Sequence, residues 1–295
     1  MFLFLLKIRH PANARNYERN IKMLKLTLSS ILNQKTSFDY KILVVCNEIP
    51  TLGFTSDKLE FLKVDFPVSG SGGAELQPQI AAWTDKGAKV VAGLAHVREN
   101  PPEKVFVMDA DDWINENLVE YIMSNPSVDN WYVDGGYLVD FGLKKYIRKS
   151  GLVRYCGSTV IFDYQDLIKL TGIPSSVTAE SSLDEIKEQV SEHSIVYLLG
   201  HHRFYLGALH KMKMNIKPID IPAICWVVNT GENRSGVTAK GVGVSMPHKF
   251  LSTFGMEDLV ESENKDSVLD KIIEQKYRLF SYLGWAITSK TSEKV

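Results

Sequence analysis

Several things are scarce in this sequence, and each absence narrows the reading. The 295 residues include only three cysteines, Cys46, Cys156 and Cys225, far apart and each in apolar surroundings. An odd number without metal-ligand spacing excludes a disulfide framework and a zinc cluster, and leaves core packing in a reducing compartment. No stretch approaches the roughly 18–20 apolar residues that a membrane span requires. The opening Met1-Phe2-Leu3-Phe4-Leu5-Leu6 lacks a basic region and a small-residue cleavage site, and Lys7 and Arg9 close it. It reads as a first strand, and the expected location is cytoplasmic, with a peripheral membrane contact left open. A net charge of −1 supplies no field for non-specific binding to nucleic acid. What is present, 44% hydrophobic and 23% charged residues without an internal repeat, is the composition of one globular domain with a sizeable core.

The first half alternates two periodicities. Residues 2–8 and 41–46 are short apolar runs of the kind buried on both faces of a parallel sheet, and residues 62–66 read as a third strand. Between the first two, Tyr17, Ile21, Leu24, Leu28, Ile31 and Leu32 recur at helical spacing. A flexible Ser69-Gly70-Ser71-Gly72-Gly73 segment precedes a helix expected over residues 86–98, which Pro101-Pro102 stops. This order predicts an α/β fold: a mostly parallel sheet with helices on its faces, and a site outside the carboxyl ends of its strands. Further short strands are expected around residues 131–133, 137–139, 146–147, 159–162, 216–221 and 225–228. The polar stretch 175–194 reads as a mobile insertion with a helix at 183–190, and a last helix is expected at 268–283 before a frayed tail.

The most informative segment is Val105-Phe106-Val107-Met108-Asp109-Ala110-Asp111-Asp112-Trp113. An apolar strand ends in three carboxylates, and in extended chain Asp109 and Asp111 point to one side. Carboxylates so close repel unless a cation lies between them, and Mg²⁺ or Mn²⁺ carried by a phosphate ligand takes one or two carboxylates in that way. The plainer alternative makes Asp109 a turn residue and Asp112 the cap of a helix over 115–123.

With Thr27-Leu28-Ser29-Ser30-Ile31-Leu32-Asn33-Gln34 after strand one, Ile42-Leu43-Val44-Val45-Cys46-Asn47-Glu48 as strand two, and Met108-Asp109-Ala110-Asp111-Asp112, the chain resembles nucleotide-sugar glycosyltransferases of the GT-A fold. The likeness is to bacterial family 2-like enzymes and rhamnosyltransferases, and it covers residues 1–121 best. It implies a single GT-A domain, with a nucleotide-sugar half at 1–123 and an acceptor half at 124–295. It implies transfer of a sugar from a nucleoside diphosphate to a glycan or lipid-linked acceptor with Mn²⁺ or Mg²⁺. Asp111 would hold the metal, and Asp109 would share it or lie near the ribose. Asn47 and Glu48 match the region that hydrogen-bonds the base, or form a solvated turn. Lys86 and Lys89 would lie near the phosphates, or on an exposed helix face, Lys89 more so. The relatives' catalytic Glu-Asp pair is missing, and its spacing falls on Gly200-His201-His202-Arg203. His202, then His201, is the expected base, since histidine titrates in the useful range. His248 is the expected late metal ligand, and Arg234, in the loop 231–236, the expected diphosphate contact. Trp131 and Tyr137 suit a sugar face or the core equally. The alternatives are a sugar-phosphate nucleotidyltransferase, whose glycine-rich basic loop after strand one is absent, and a carbohydrate-binding scaffold without transferase activity.

Overall fold

The computed structural model describes residues 1–69, 76–233 and 243–259. The elements in chain order are β1 (Phe2–Lys7), α1 (Tyr17–Leu32), β2 (Tyr40–Cys46), β3 (Leu59–Lys63), α2 (Leu76–His96), β4 (Lys104–Asp109), β5 (Trp113–Ile114) and α3 (Leu118–Met123). There follow β6 (Asn130–Tyr132), β7 (Gly136–Asp140), β8 (Lys145–Lys149), β9 (Val160–Asp163), α4 (Tyr164–Thr171), α5 (Leu183–Gln189), α6 (Tyr205–Lys211), β10 (Ile216–Pro218), β11 (Ile224–Val228), β12 (Val244–Ser245) and α7 (His248–Thr253).

Every residue of β1 is buried, because the strand is central and covered on both faces. Its side chains alternate between two cores: Phe2, Phe4 and Leu6 meet Leu24, Leu28 and Ile31 of α1, while Leu3 and Leu5 meet Val90, Val91 and Leu94 of α2. The fold is mixed α/β, with a seven-stranded sheet in the order β10-β6-β9-β4-β1-β2-β3. β9 alone runs antiparallel, against β4 and β6. A second sheet, β12-β8-β7-β11-β5, has five strands. It is rooted directly after the aspartates, where Trp113 and Ile114 pair with Cys225 and Ile224. The winding reverses between β1 and β4, which places a crevice at their carboxyl ends.

The structure corrects several boundaries. β3 lies three residues earlier than expected, because Asn47 takes over where the ladder ends, its Nδ2 donating to the carbonyls of Val64 (3.4 Å) and Phe66 (3.0 Å). α2 begins ten residues before the expected start. Gly87 within it is a close-packing position: a Cβ there would sit 1.8 Å from the Ile195 carbonyl oxygen, so the glycine admits the π-helical turn His193–Leu199 against the helix backbone. Gly200 makes the reciprocal approach, its notional Cβ 2.2 Å from the Trp83 carbonyl oxygen. The stretch 175–194 is pinned, contrary to the expected mobility. Val177, Ile186 and Val190 are buried, and the Arg98 guanidinium donates to the carbonyls of Pro174, Ser175 and Val177 at 3.0, 2.8 and 2.7 Å. Trp131 and Tyr137 belong to the core, Trp131 edge-on to Tyr121 and Tyr137 among Tyr146, Phe250 and Phe254. The expected helix at 268–283 and the tail lie outside the described residues.

A methyl group at the Gly87–Gly200 contact has no room on either side. Gly87→Ala is expected to lower stability by about 1–3 kcal/mol, the usual range for overpacking. A urea midpoint unchanged from wild type would remove this contact from the account of the fold.

Candidate active site

The carboxyl ends of β1 and β4 open into a cleft of about 430 Å³. Register brings its first two charges together: Lys7 and Asp109 are Cα partners on adjacent parallel strands. The Lys7 ammonium lies 3.0 Å from Asp109 Oδ1, and Lys86, from α2, reaches the same oxygen at 2.6 Å. Gly157 leaves room for that carboxylate, since a Cβ there would fall 2.2 Å from Asp109 Oδ2. Burial pushes Lys7 down to about 8, an effect partly offset by the Asp109 charge. Burial alone would raise Asp109, but the two lysines outweigh it and hold the carboxyl below its ordinary range.

Asp112 has a different occupation. It is buried, and its carboxylate accepts from the Ser158 hydroxyl (2.6 Å), the Cys156 thiol (3.1 Å) and the Val227 backbone N–H (3.0 Å). Ser158 in turn accepts the Asp109 backbone N–H at 2.8 Å. Asp112 therefore ties the end of β4 to the start of β9 and to β11. It does not cap the following helix, where Asn115 Oδ1 instead accepts the Asn117 N–H at 2.9 Å.

Asp111, between them, accepts one hydrogen bond among the described residues, from Asn233 Nδ2 at 3.0 Å. Burial first, then the charges of Asp112 and Asp109, raise its pKa well above the carboxylate norm. Burial and Asp109 likewise push Asp112 up to about 6. With three donors holding Asp112 ionised, Asp111 is the member of the pair that takes up the proton. Two lysines set against three aspartates leave one negative charge uncompensated, and a proton or a cation must supply the balance.

The rest of the cleft is closed by contacts that sequence reading missed. Glu232 is buried, and its carboxylate accepts the backbone N–H groups of Arg15 (3.2 Å) and Asn16 (2.8 Å) at the start of α1, where negative charge is favoured. The Arg9 guanidinium holds the same carboxylate at 3.2 Å and the Glu232 carbonyl at 3.1 Å. Neighbouring Asn233 accepts from the Thr230 N–H and hydroxyl, both at 2.8 Å, and so presents its amide to Asp111. Only the polar character of the loop hinted at this.

Of the expected site residues, Asp109, Asp111, Lys86 and His202 line the cleft. Lys89 lines it too, but fully buried instead of on an exposed helix face: its ammonium is bound to Asp85 Oδ2 and to the Ile8 carbonyl, each at 2.9 Å. His201 lies behind His202, with nearly parallel rings 5.5 Å apart, and packs against Trp83 at 4.5 Å. Burial and the nearby Lys86 charge depress His202 to about 3, so its imidazole is neutral at physiological pH. Asn47 and Glu48 do not line the cleft: Asn47 is committed to the β3 carbonyls and Glu48 is exposed. His248 is exposed in the first turn of α7 and away from the lining, and the described residues group no three His, Cys, Asp or Glu side chains for a metal. Arg234 lies outside the described residues.

No family model matches this chain, and no curated protein does. Solved structures resemble it weakly. Residues 1–349 of S. aureus TarS match with 13% identity over 76% of this chain and 59% of that one, at a TM-score of 0.36. Bifunctional IspDF from Campylobacter jejuni matches with 13% identity over 75% and 49%, at 0.36. HddC from Yersinia pseudotuberculosis matches with 11% identity over 76% and 92%, at 0.38. The chain thus spans about half the length of IspDF and 59% of the TarS fragment. These scores carry neither fold nor reaction; the strand order and the cleft carry the argument.

Because the raised pKa of the Asp111–Asp112 pair exceeds that of an unfolded carboxylate, wild type loses stability as pH rises through it. Asp111→Asn is therefore expected to gain in melting temperature relative to wild type as pH rises through the titration of the pair, whose Asp112 member lies at about 6, and to lose that advantage as pH falls. A constant difference between the two melting profiles across that range would show that Asp111 holds no displaced proton.

Proposed function

We propose that the chain is a nucleotide-sugar glycosyltransferase that moves a sugar from a nucleoside diphosphate to a glycan or lipid-linked acceptor. The observation that carries this reading is the uncompensated negative charge at Asp111, set in a cleft at the sheet's switch point. Mn²⁺ or Mg²⁺ fits this donor set through one oxygen ligand. Asp111 would hold it, because Asp109 is taken by Lys7 and Lys86 and Asp112 by three donors. An ion of this kind needs only one or two protein carboxylates when phosphate and water complete its shell. When bound, it would neutralise charge on the departing diphosphate.

The remaining roles fall to the chain itself. Lys86, part-exposed at the cleft wall, and Arg9 bring positive charge to the side on which a diphosphate would lie. Asn233 orients Asp111, and the Glu232 latch seats the loop that carries Asn233. In the transfer, the acceptor oxygen bonds to the anomeric carbon as the bond from that carbon to the diphosphate breaks. The electron pair leaves with the diphosphate, and the acceptor hydroxyl gives up its proton. His202 is the side chain we place nearest that proton, and its depressed pKa makes it a weak base. That observation favours a second reading, a nucleotide-sugar-binding protein without transfer.

Thermal melting against nucleoside diphosphates with Mn²⁺, Mg²⁺ or EDTA tests both readings. A ligand at 100 times its Kd should add about 2.7 kcal/mol, and the gain should require metal and vanish in Asp111→Asn. Sugar release from a nucleotide sugar then separates transferase from binding protein: stabilisation without release supports the latter. Absence of stabilisation by every diphosphate would sink both.

A further inference from the structure

One wall of the cleft carries side chains that the donor reading leaves unused. Tyr155, 46% exposed, and Trp226 both line the cleft, their rings inclined by only 16° with centroids 6.1 Å apart. The alternation of β11 produces this wall. Cys225 and Val227 turn into the core of the small sheet, and the half-buried indole of Trp226 turns the other way. Lys149 sets its ammonium 4.6 Å from the centre of the Tyr155 ring, whereas the neighbouring Arg154 already has a counter-charge in Asp134.

We infer that Tyr155 and Trp226, flanked by Lys149, form the acceptor subsite, and that the acceptor is an anionic glycan. A sugar ring lies with its C–H face on the aromatic pair, and its carboxylate or phosphate reaches the Lys149 ammonium. Each half of the wall excludes a simpler ligand. A bare anion would leave the exposed aromatic surface against water, and a neutral sugar would give the Lys149 ammonium no counter-charge. The wall is coupled to the aspartates through Gly157, two residues after Tyr155, which lies in contact range of the Asp109 carboxylate. A sugar seated there lies beside the strand ends. This inference rests on the glycosyltransferase reading.

The test is a tryptophan-fluorescence titration of the full chain, without nucleotide, using tetragalacturonate, glucose 1-phosphate and neutral maltotetraose. At least one anionic probe is expected to bind about tenfold tighter than maltotetraose, with a salt-sensitive Kd. Binding of only one of the two identifies carboxylate or phosphate as the charge recognised. Tyr155→Ala and Lys149→Gln, both at solvent-accessible positions, should each weaken it about fivefold. The quench should disappear in Trp226→Phe, and metal-dependent stabilisation by the diphosphate should persist in all three variants. Equal affinity for maltotetraose would overturn the assignment, as would failure of every probe while a diphosphate still stabilises the chain; in both cases the donor reading survives. Loss of diphosphate stabilisation in Tyr155→Ala would overturn it differently, by assigning the wall to the nucleobase. An anionic sugar that binds while no diphosphate does would retire the donor reading and leave the wall a sugar-binding site.

Discussion

Lys7 is a cation at the end of a strand buried on both faces, and such a charge is tolerable only with a counter-charge held close. Asp109 meets that need by register, since parallel pairing of β1 with β4 sets the two residues opposite each other. Removing one partner of a buried pair typically costs about 3–5 kcal/mol, so the alignment of β1 on β4 and the ionisation of Asp109 enforce each other. The arrangement also reserves Asp109. A carboxylate bound by Lys7 and Lys86 is occupied, and the unmet charge lies on its neighbour two residues on.

Three aspartates within four residues have thereby become three different groups. Asp109 is a counter-ion, Asp112 a knot between the two sheets, and Asp111 the one whose charge is unmet. What separates them is the number of donors each receives. Asp112 collects its donors from residues 44 to 115 positions away, Cys156, Ser158 and Val227. They arrive because β9 inserts beside β4 and β11 pairs with β5, so the second half of the chain completes the charge pattern that the first half begins.

That division explains what was legible in the sequence. The runs at β1, β2 and β4 and the stripe of α1 follow local rules of periodicity, and with them the crevice and its aspartates could be placed. The fates of Asn47, Lys89 and His248 could not. Asn47 ends a strand just as a base-binding residue would, but its amide is claimed by carbonyls 17 and 19 residues later. Lys89 sits on a helix and binds the carbonyl of Ile8, 81 residues earlier. Nor does spacing disclose Glu232, whose partners lie far back in the sequence, at Arg9 and at Arg15 and Asn16 just before α1. Gly87 fell inside the expected helix, but nothing local showed that a second backbone, at Ile195, would need the space its missing side chain leaves.

The charge balance of the cleft also bears on His202. Its ring is set against His201 and lies near Lys86, in surroundings already carrying two ammonium groups at Asp109. A third positive charge there would be stripped of solvent and repelled by Lys86, which is why the imidazole stays neutral. Lys86 thus helps to depress His202 while, with Lys7, it keeps Asp109 ionised. Charge reactivity is thereby concentrated at Asp111, the carboxylate at which the proposed divalent cation would compete with a proton. Cation binding there would release that proton, because the metal needs the ionised carboxylate as its ligand.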